Sequence, residues 1–331
     1  MLMGFQRSNR NVKNKRFEQN ITNMKMNKKL IFVFFAVSLL LIAGCMGGTK
    51  KKGPITDVDI REGTQGLTMS FTKNAPPERV FATNAFPMAL EVNNKGAENV
   101  VDWELVFGFD PYVEIDKGSK AQQELPIDGK SIFNPKGDGD LITINAKAKT
   151  IGAQSETQSS TILATACYPY KTILGTSVCI DNDIYGTKRG EKACSVRDLS
   201  FSDGQGAPVA VTKVETRMLP DGNNVKPLFL IHIKNRGNGE VVELSKVRDA
   251  CTEKGLEYTD FNTIAIEASL SGNPLDCPAE IRLKEKEDLV RCTGDVVERE
   301  DAYVAPLKVE LKYGYTFTIS KDIIIEKILT H

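Results

Sequence analysis

Histidine and tryptophan are nearly missing from this 331-residue chain, which has two histidines, His232 and His331, and one tryptophan, Trp103. A Ser-His-Asp or Cys-His relay would therefore have only His232 to use within the chain, and no Gly-x-Ser-x-Gly nucleophile elbow accompanies it. His232 falls in LFLIHIK, on one face of an alternating strand, the place of a partly buried structural histidine. Trp103, in VVDWELVFGF, reads as a core side chain. A chain this poor in aromatics lacks the stacking surface of a glycan cleft, where a carboxylate pair could hydrolyse sugars. There is no Cys-x-x-Cys to favour a thiolate metal site and no Gly-rich loop to cradle a phosphate.

Net charge is missing as well, with 43 basic against 43 acidic residues, but the balance is uneven along the chain. Residues 1–29 hold eight Lys or Arg against the single Glu18, residues 30–45 hold no charge, and the part beyond Cys45 is therefore acidic. An acidic body argues against a nucleic-acid partner, which requires a basic face to displace counterions from phosphate.

The longest apolar run, LIFVFFAVSLLLIAG from Leu30 to Gly44, is shorter than the roughly 20 residues of a spanning helix and fits a signal-peptide core. Lys25, Lys28 and Lys29 precede it, and Ile42, Ala43 and Gly44 lead into Cys45. This stretch resembles a lipobox, the motif at which prokaryotic lipoproteins are lipidated on cysteine and cleaved. The resemblance implies that Cys45 is the first mature residue and carries lipid on its sulfur. An uncleaved signal anchor with Cys45 as a bystander is the alternative, and both readings place residue 46 onward outside the cytoplasm. Met24 or Met26 is a candidate true start, since MNKKLIFVFF is a complete opening by itself.

Beyond the tether, MGGTKKKGP, the chain repeats. PMALEVNNKGAENVV at Pro87–Val101 and PLFLIHIKNRGNGEVV at Pro227–Val242 share an apolar strand, then Asn, a basic residue and Gly, at an offset of 141. Tyr168 and Tyr170 recur as Tyr313 and Tyr315 at an offset of 145. Both units carry the period of two of half-buried strands. KVELKYGYTFTIS sets Val309, Leu311, Tyr313, Tyr315, Phe317 and Ile319 on one face. LITINAKAK does the same with Ile142, Ile144, Ala146 and Ala148, and TILATACYPY with Ile162, Ala164, Ala166, Tyr168 and Tyr170. Turn signals NNKG, KGDGD, PDGNN and NRGNG separate the strands. Only VELSKVRDACTEKG, Val242 to Gly255, has helical spacing.

The strand-plus-turn units LEVNNKG and IHIKNRG resemble the tandem immunoglobulin-like modules of prokaryotic, chiefly archaeal, cell surfaces, including the group named for cell adhesion in bacteria and archaea (CARDB-like). The resemblance implies an all-β fold with two tandem immunoglobulin-like β-sandwich domains after an N-terminal signal or anchor segment, and implies no ligand. The expected organisation is a basic region at 1–29, signal or anchor at 30–45, tether at 46–54, first domain at 55–195, linker at 196–205 and second domain at 206–331.

Six cysteines remain when Cys45 is set aside: Cys167, Cys179, Cys194, Cys251, Cys277 and Cys292. An even count outside the cytoplasm reads as three disulfides. CYPYKTILGTSVC, turning around Ile173 to Gly175, would pair Cys167 with Cys179. CPAEIRLKEKEDLVRC, turning about KEKED, would pair Cys277 with Cys292, leaving Cys194 for Cys251. CIDNDIYGTKRGEK places Asp181 and Asp183 as candidate cation ligands, but Tyr185 and Lys192 stand where a calcium loop needs oxygen donors, so a solvated turn is the plainer reading. Asp138 and Asp140 in NPKGDGDL read the same way.

These readings predict a non-enzymatic lipoprotein without cofactor, anchored at the extracytoplasmic face by Cys45 and the Leu30–Gly44 segment, in a structural, adhesive or protein-interaction role. Its partner would be a surface protein or glycan. The rivals are a ligand- or sugar-binding accessory subunit of a membrane complex and an enzyme with an unrecognised carboxylate site.

Overall fold

Alternation, not helical spacing, governs the chain, and the computed structural model is correspondingly all-β. It describes residues 57–115, 126–187, 190–252, 255–298 and 301–328. One α-helical turn, α1 (Asp57–Ile60), leads into β1 (Leu67–Phe71), β2 (Arg79–Phe81), β3 (Ala85–Asn94), β4 (Glu104–Phe109), β5 (Val113–Ile115), β6 (Gly139–Ala148) and β7 (Thr157–Ile180). The second half supplies β8 (Leu199–Ser200), β9 (Val209–Asp221), β10 (Asn224–Asn235), β11 (Glu240–Val242), β12 (Thr263–Leu270), β13 (Asn273–Pro274), β14 (Glu280–Arg282), β15 (Glu287–Thr293) and β16 (Tyr303–Glu326).

Each half builds one four-stranded sheet, ordered β1-β3-β6-β5 in the first and β15-β10-β9-β8 in the second. Both halves share a third sheet, β13-β12-β16-β7-β4, with β2, β11 and β14 joined to its strands. Its spine is the antiparallel pair β7 and β16, each 24 residues long and in register from Thr157↔Glu326 to Ile180↔Tyr303. Because the pair runs through both halves, each half is completed by the other. Ile323 and Ile325 from the end of β16 pack with Phe86, Met88, Ile144 and Ile162 of the first half. Leu174, Val178 and Ile180 from the end of β7 belong to the core that contains Phe229 and Ile231 of the second.

From Pro54 onward the chain is one compact unit. A continuous sheet joins strands of the segments 55–195 and 206–331.

The alternating faces are buried as their pattern demands: Ile142, Ile144, Ala146 and Ala148, then Ile162, Ala164, Ala166, Tyr168 and Tyr170, then Val309, Leu311, Tyr313 and Tyr315. Trp103 is buried in the core. Two local expectations are corrected. No turn interrupts Ile173–Gly175, because β7 continues straight through it. The Val242–Gly255 stretch forms two 3-10 turns, Leu244–Lys246 and Asp249–Cys251. It is held at one end by β11 and at the other by a disulfide, and Val242, Val247 and Cys251 lie on the outer face of the shared sheet against Cys167. Gly314 of β16 sits beneath it, where a methyl group would come within 2.7 Å of Val242.

Candidate functional site

The repeated sequence signals converge on the middle of the shared sheet. Tyr168 lies opposite Tyr315, Pro169 opposite Gly314 and Tyr170 opposite Tyr313. The register maps onto itself when the halves are exchanged, since the offset of 145 carries Tyr168 to Tyr313, Pro169 to Gly314 and Tyr170 to Tyr315. The four rings form a cluster with centroids 5.6–6.4 Å apart.

Every hydroxyl is tied to backbone. Tyr168 accepts from the Leu67 amide at 3.2 Å, and its counterpart Tyr313 accepts from the Val209 amide at 3.3 Å. Tyr170 accepts from the Glu98 amide at 3.3 Å and donates to the Gly206 carbonyl at 3.2 Å. Tyr315 accepts from the Gly239 amide at 2.8 Å and donates to Asn235 Oδ1 at 3.3 Å. Burial penalises the phenolate and raises the pKa of all four phenols, that of Tyr315 to about 12.

The Asn-basic-Gly turns serve these tyrosines. Asn94 donates to the Glu98 and Ile127 carbonyls and accepts from the Gly96 amide at 3.0 Å, and Asn235 repeats the pattern with Gly239 and Gly237. Glycine is required at 96 and 237 because a methyl there would overlap the Tyr170 and Tyr315 hydroxyls. The repeat thus specifies a joint between the halves.

All six later cysteines are paired, as Cys167–Cys251, Cys179–Cys194 and Cys277–Cys292, with Cα separations of 5.9, 5.8 and 4.4 Å. Only Cys277–Cys292 matches the expected pairing. Its turn lies at Glu285 and Lys286, both with positive φ. Cys167 and Cys179 cannot meet, because twelve residues of unbroken strand hold them about 40 Å apart. Cys194 instead takes Cys179 and Cys251 takes Cys167, so a disulfide does link the halves, but through β7. Cys45 and the Leu30–Gly44 segment lie outside the described residues, and among those described no helix is long and apolar enough to cross a membrane.

Asp181 and Asp183 are brought together and both are buried, but the cation between them is Lys192. Its ammonium lies 2.7 Å from Asp181 Oδ2 and 3.1 Å from Asp183 Oδ2, and Asp181, then Asp183, hold its proton more tightly than usual. The residue that spoils the calcium pattern in sequence is the counter-ion in space. Among the described residues no group of three His, Cys, Asp or Glu side chains is placed to hold a metal ion. Asp138, in the loop before β6, and Asp140, at the start of β6, are solvent-exposed, and their carboxylates accept from the next amide in the chain.

His232 lies on the outer face of β10, half-exposed, with Nε2 3.1 Å from Glu215 Oε1. Lys213 and Arg217 also bind Glu215, and with Asp198 they form a surface ion network. Lys213 first, then His232, lower the Glu215 carboxyl. Sequence inspection also missed a feature beside α1. Lys130 donates to the Glu62 carbonyl at 3.0 Å, and the loop it begins exposes Ile132 and Phe133, the latter by 92%. The only signal in sequence was an apolar pair, SIF, inside the turn-rich DGKSIFNPKGD.

No protein-family model matches the chain, and no curated protein matches it in sequence. Among solved structures it is similar to the secreted serine protease VesC from Vibrio cholerae at 10% identity, with 77% of this chain and 51% of that one covered and a TM-score of 0.17. The chain thus spans about half the length of that protein. That neighbour is an enzyme, against the expectation of a non-enzyme. At that TM-score the likeness assigns this chain neither a fold nor an activity.

Proposed function

We propose that this protein is an exported lipoprotein, held at the extracytoplasmic face of a membrane through lipid on Cys45, which presents a double β-sandwich to a surface protein or glycan. We read each half as an immunoglobulin-like sandwich, in which the half's own four-stranded sheet packs on its share of the common sheet. The observation that carries the proposal is the parity of the cysteines. Six are consumed in disulfides, a pattern at home in oxidising compartments, and the one left over is the residue that follows the export-signal sequence.

The tether is short. Eleven residues separate Cys45 from Asp57, which bounds their span at roughly 40 Å even at the ~3.3–3.6 Å per residue of a fully extended chain. The described residues begin at α1, where Ile60 lies beside Gly206, next to the stretch between the halves. Support for a stance in which both halves flank the tether, in place of one standing beyond the other, comes from that position.

Mass measurement of the intact protein recovered from membranes, before and after reduction, tests the proposal. A chain beginning at a lipidated Cys45 that gains about six daltons on reduction, two for each of three bridges, is the expected result. Unlipidated protein in the soluble fraction, or free thiols at the six later positions, would overturn it.

A further inference from the structure

Resting on the lipoprotein reading, we propose that the loop from Asp128 to Asp138 is a second membrane contact, with Ile132 and Phe133 entering the headgroup boundary of the bilayer that holds Cys45. Phe133 is 92% exposed and Ile132 51% exposed, side by side at one loop tip. An adjacent aromatic and aliphatic pair this open to water marks a surface made for contact.

The bilayer is the occupant because of where the loop sits. The Lys130 ammonium bonds the Glu62 carbonyl at 3.0 Å, five residues beyond the start of α1. Phe133, three residues past Lys130, therefore lies on the order of 20 Å from the root of the tether, within the span the tether itself covers. A loop tethered this closely meets the bilayer as an intramolecular event, at an effective concentration that lets a weak apolar contact persist.

Hydrogen bonds close the loop on either side of the apolar pair. The Ser131 amide donates to the Asn134 carbonyl and the Asn134 amide to Ser131 Oγ, both at 2.9 Å. The Asn134 side chain donates to the Gly137 carbonyl at 2.9 Å. These polar groups keep their partners when water is withdrawn. Lys130 and Lys136 are balanced by Asp128 and Asp138, so the loop carries no net charge. Insertion is therefore driven by apolar burial and is insensitive to salt and to anionic lipid, unlike any attraction exerted by Lys50, Lys51 and Lys52.

The test uses the full chain with Phe133→Trp, reconstituted from membranes into phosphatidylcholine vesicles whose acyl chains carry bromine near the headgroup. Trp103 is buried, so quenching reports position 133. The expected result is quenching that persists in high salt and does not grow with added phosphatidylglycerol, in protein whose mass shows lipid on Cys45. As a second measurement, Ile132→Ser/Phe133→Ser protein should lose the protection of Lys136 from trypsin that the parent shows on vesicles. No quenching in lipidated protein would overturn the loop contact and leave the lipoprotein reading standing. Absence of lipid on Cys45 would overturn both.

Discussion

Pro169 and Gly314 face each other across β7 and β16, and the exchange of the two halves carries one onto the other. The chain is therefore built about this pair, with two tyrosines on each side of it. The sites of greatest sensitivity should lie there, and the consequences can be measured.

Tyr313→Phe should destabilise the protein by about 1–3 kcal/mol, because it strips the acceptor from the buried Val209 amide. It also removes the 3.0 Å bond to Thr172. Tyr168→Phe, which orphans the Leu67 amide in the same way, should cost a similar amount. Urea unfolding of both variants against the parent measures this, and an unchanged midpoint would refute it.

Glycines should divide by what lies over them. Gly96→Ala forces a methyl group into the Tyr170 hydroxyl and toward the Gly206 carbonyl, and should cost about 1–3 kcal/mol. At Gly175 of β7 nothing lies within 4 Å of the added atom, and Gly175→Ala should stay within about 0.5 kcal/mol of the parent. Thermal unfolding of the two variants side by side decides it.

Loop length sets the order of the disulfides. Cys167–Cys251 closes 84 residues and the other two bridges close 15 each. On chain entropy its loss should cost about 4.5 kcal/mol against about 3 for either of the others. Non-reducing peptide mapping should recover a peptide joining Cys167 to Cys251, and a Cys167–Cys179 peptide would contradict the fold of β7.

Alkaline pH should open the joint. The four central phenols ionise above the usual tyrosine value of about 10 in the folded chain, chiefly because burial penalises the phenolate. Unfolded tyrosines lose their protons first as pH rises, so the folded state binds more protons there. The stability from this source is complete below about pH 10 and falls above it. Absorbance titration should show four of the eight tyrosines ionising only as the fold is lost. Smooth titration of all eight near the ordinary value would exclude this.

Lys192→Met should leave Asp181 and Asp183 facing each other without their shared cation. Faster amide exchange at Asp183 and Thr187, whose amides bond these carboxylates, is the expected outcome. Exchange unchanged at neutral pH would mean that the lysine is dispensable.

Much of this fold was legible in the amino-acid order, because strand burial has a period of two and each face needs only local sequence to write it. The faces of β6, β7 and β16 and the burial of Trp103 were readable for that reason. The repeat of Asn, Gly and the tyrosine pairs was readable too, since it lies along the chain. Its meaning was not. Asn94 holds a turn and Gly96 admits Tyr170 only once residues more than seventy positions apart are brought together.

Disulfide partners depend on distances in space, and a single strand running where a turn was expected changed two of three pairings. Lys192 became a counter-ion by folding back eleven residues onto Asp181. Sequence by itself determined an all-β chain with two related halves, six cysteines to pair and one to spare, because periodicity, repetition and parity are properties of order. The tertiary structure alone decided that the halves share one sheet, that Cys167 meets Cys251 and that Lys130 reaches the Glu62 carbonyl, because contact between distant residues is set by how strands register and pack.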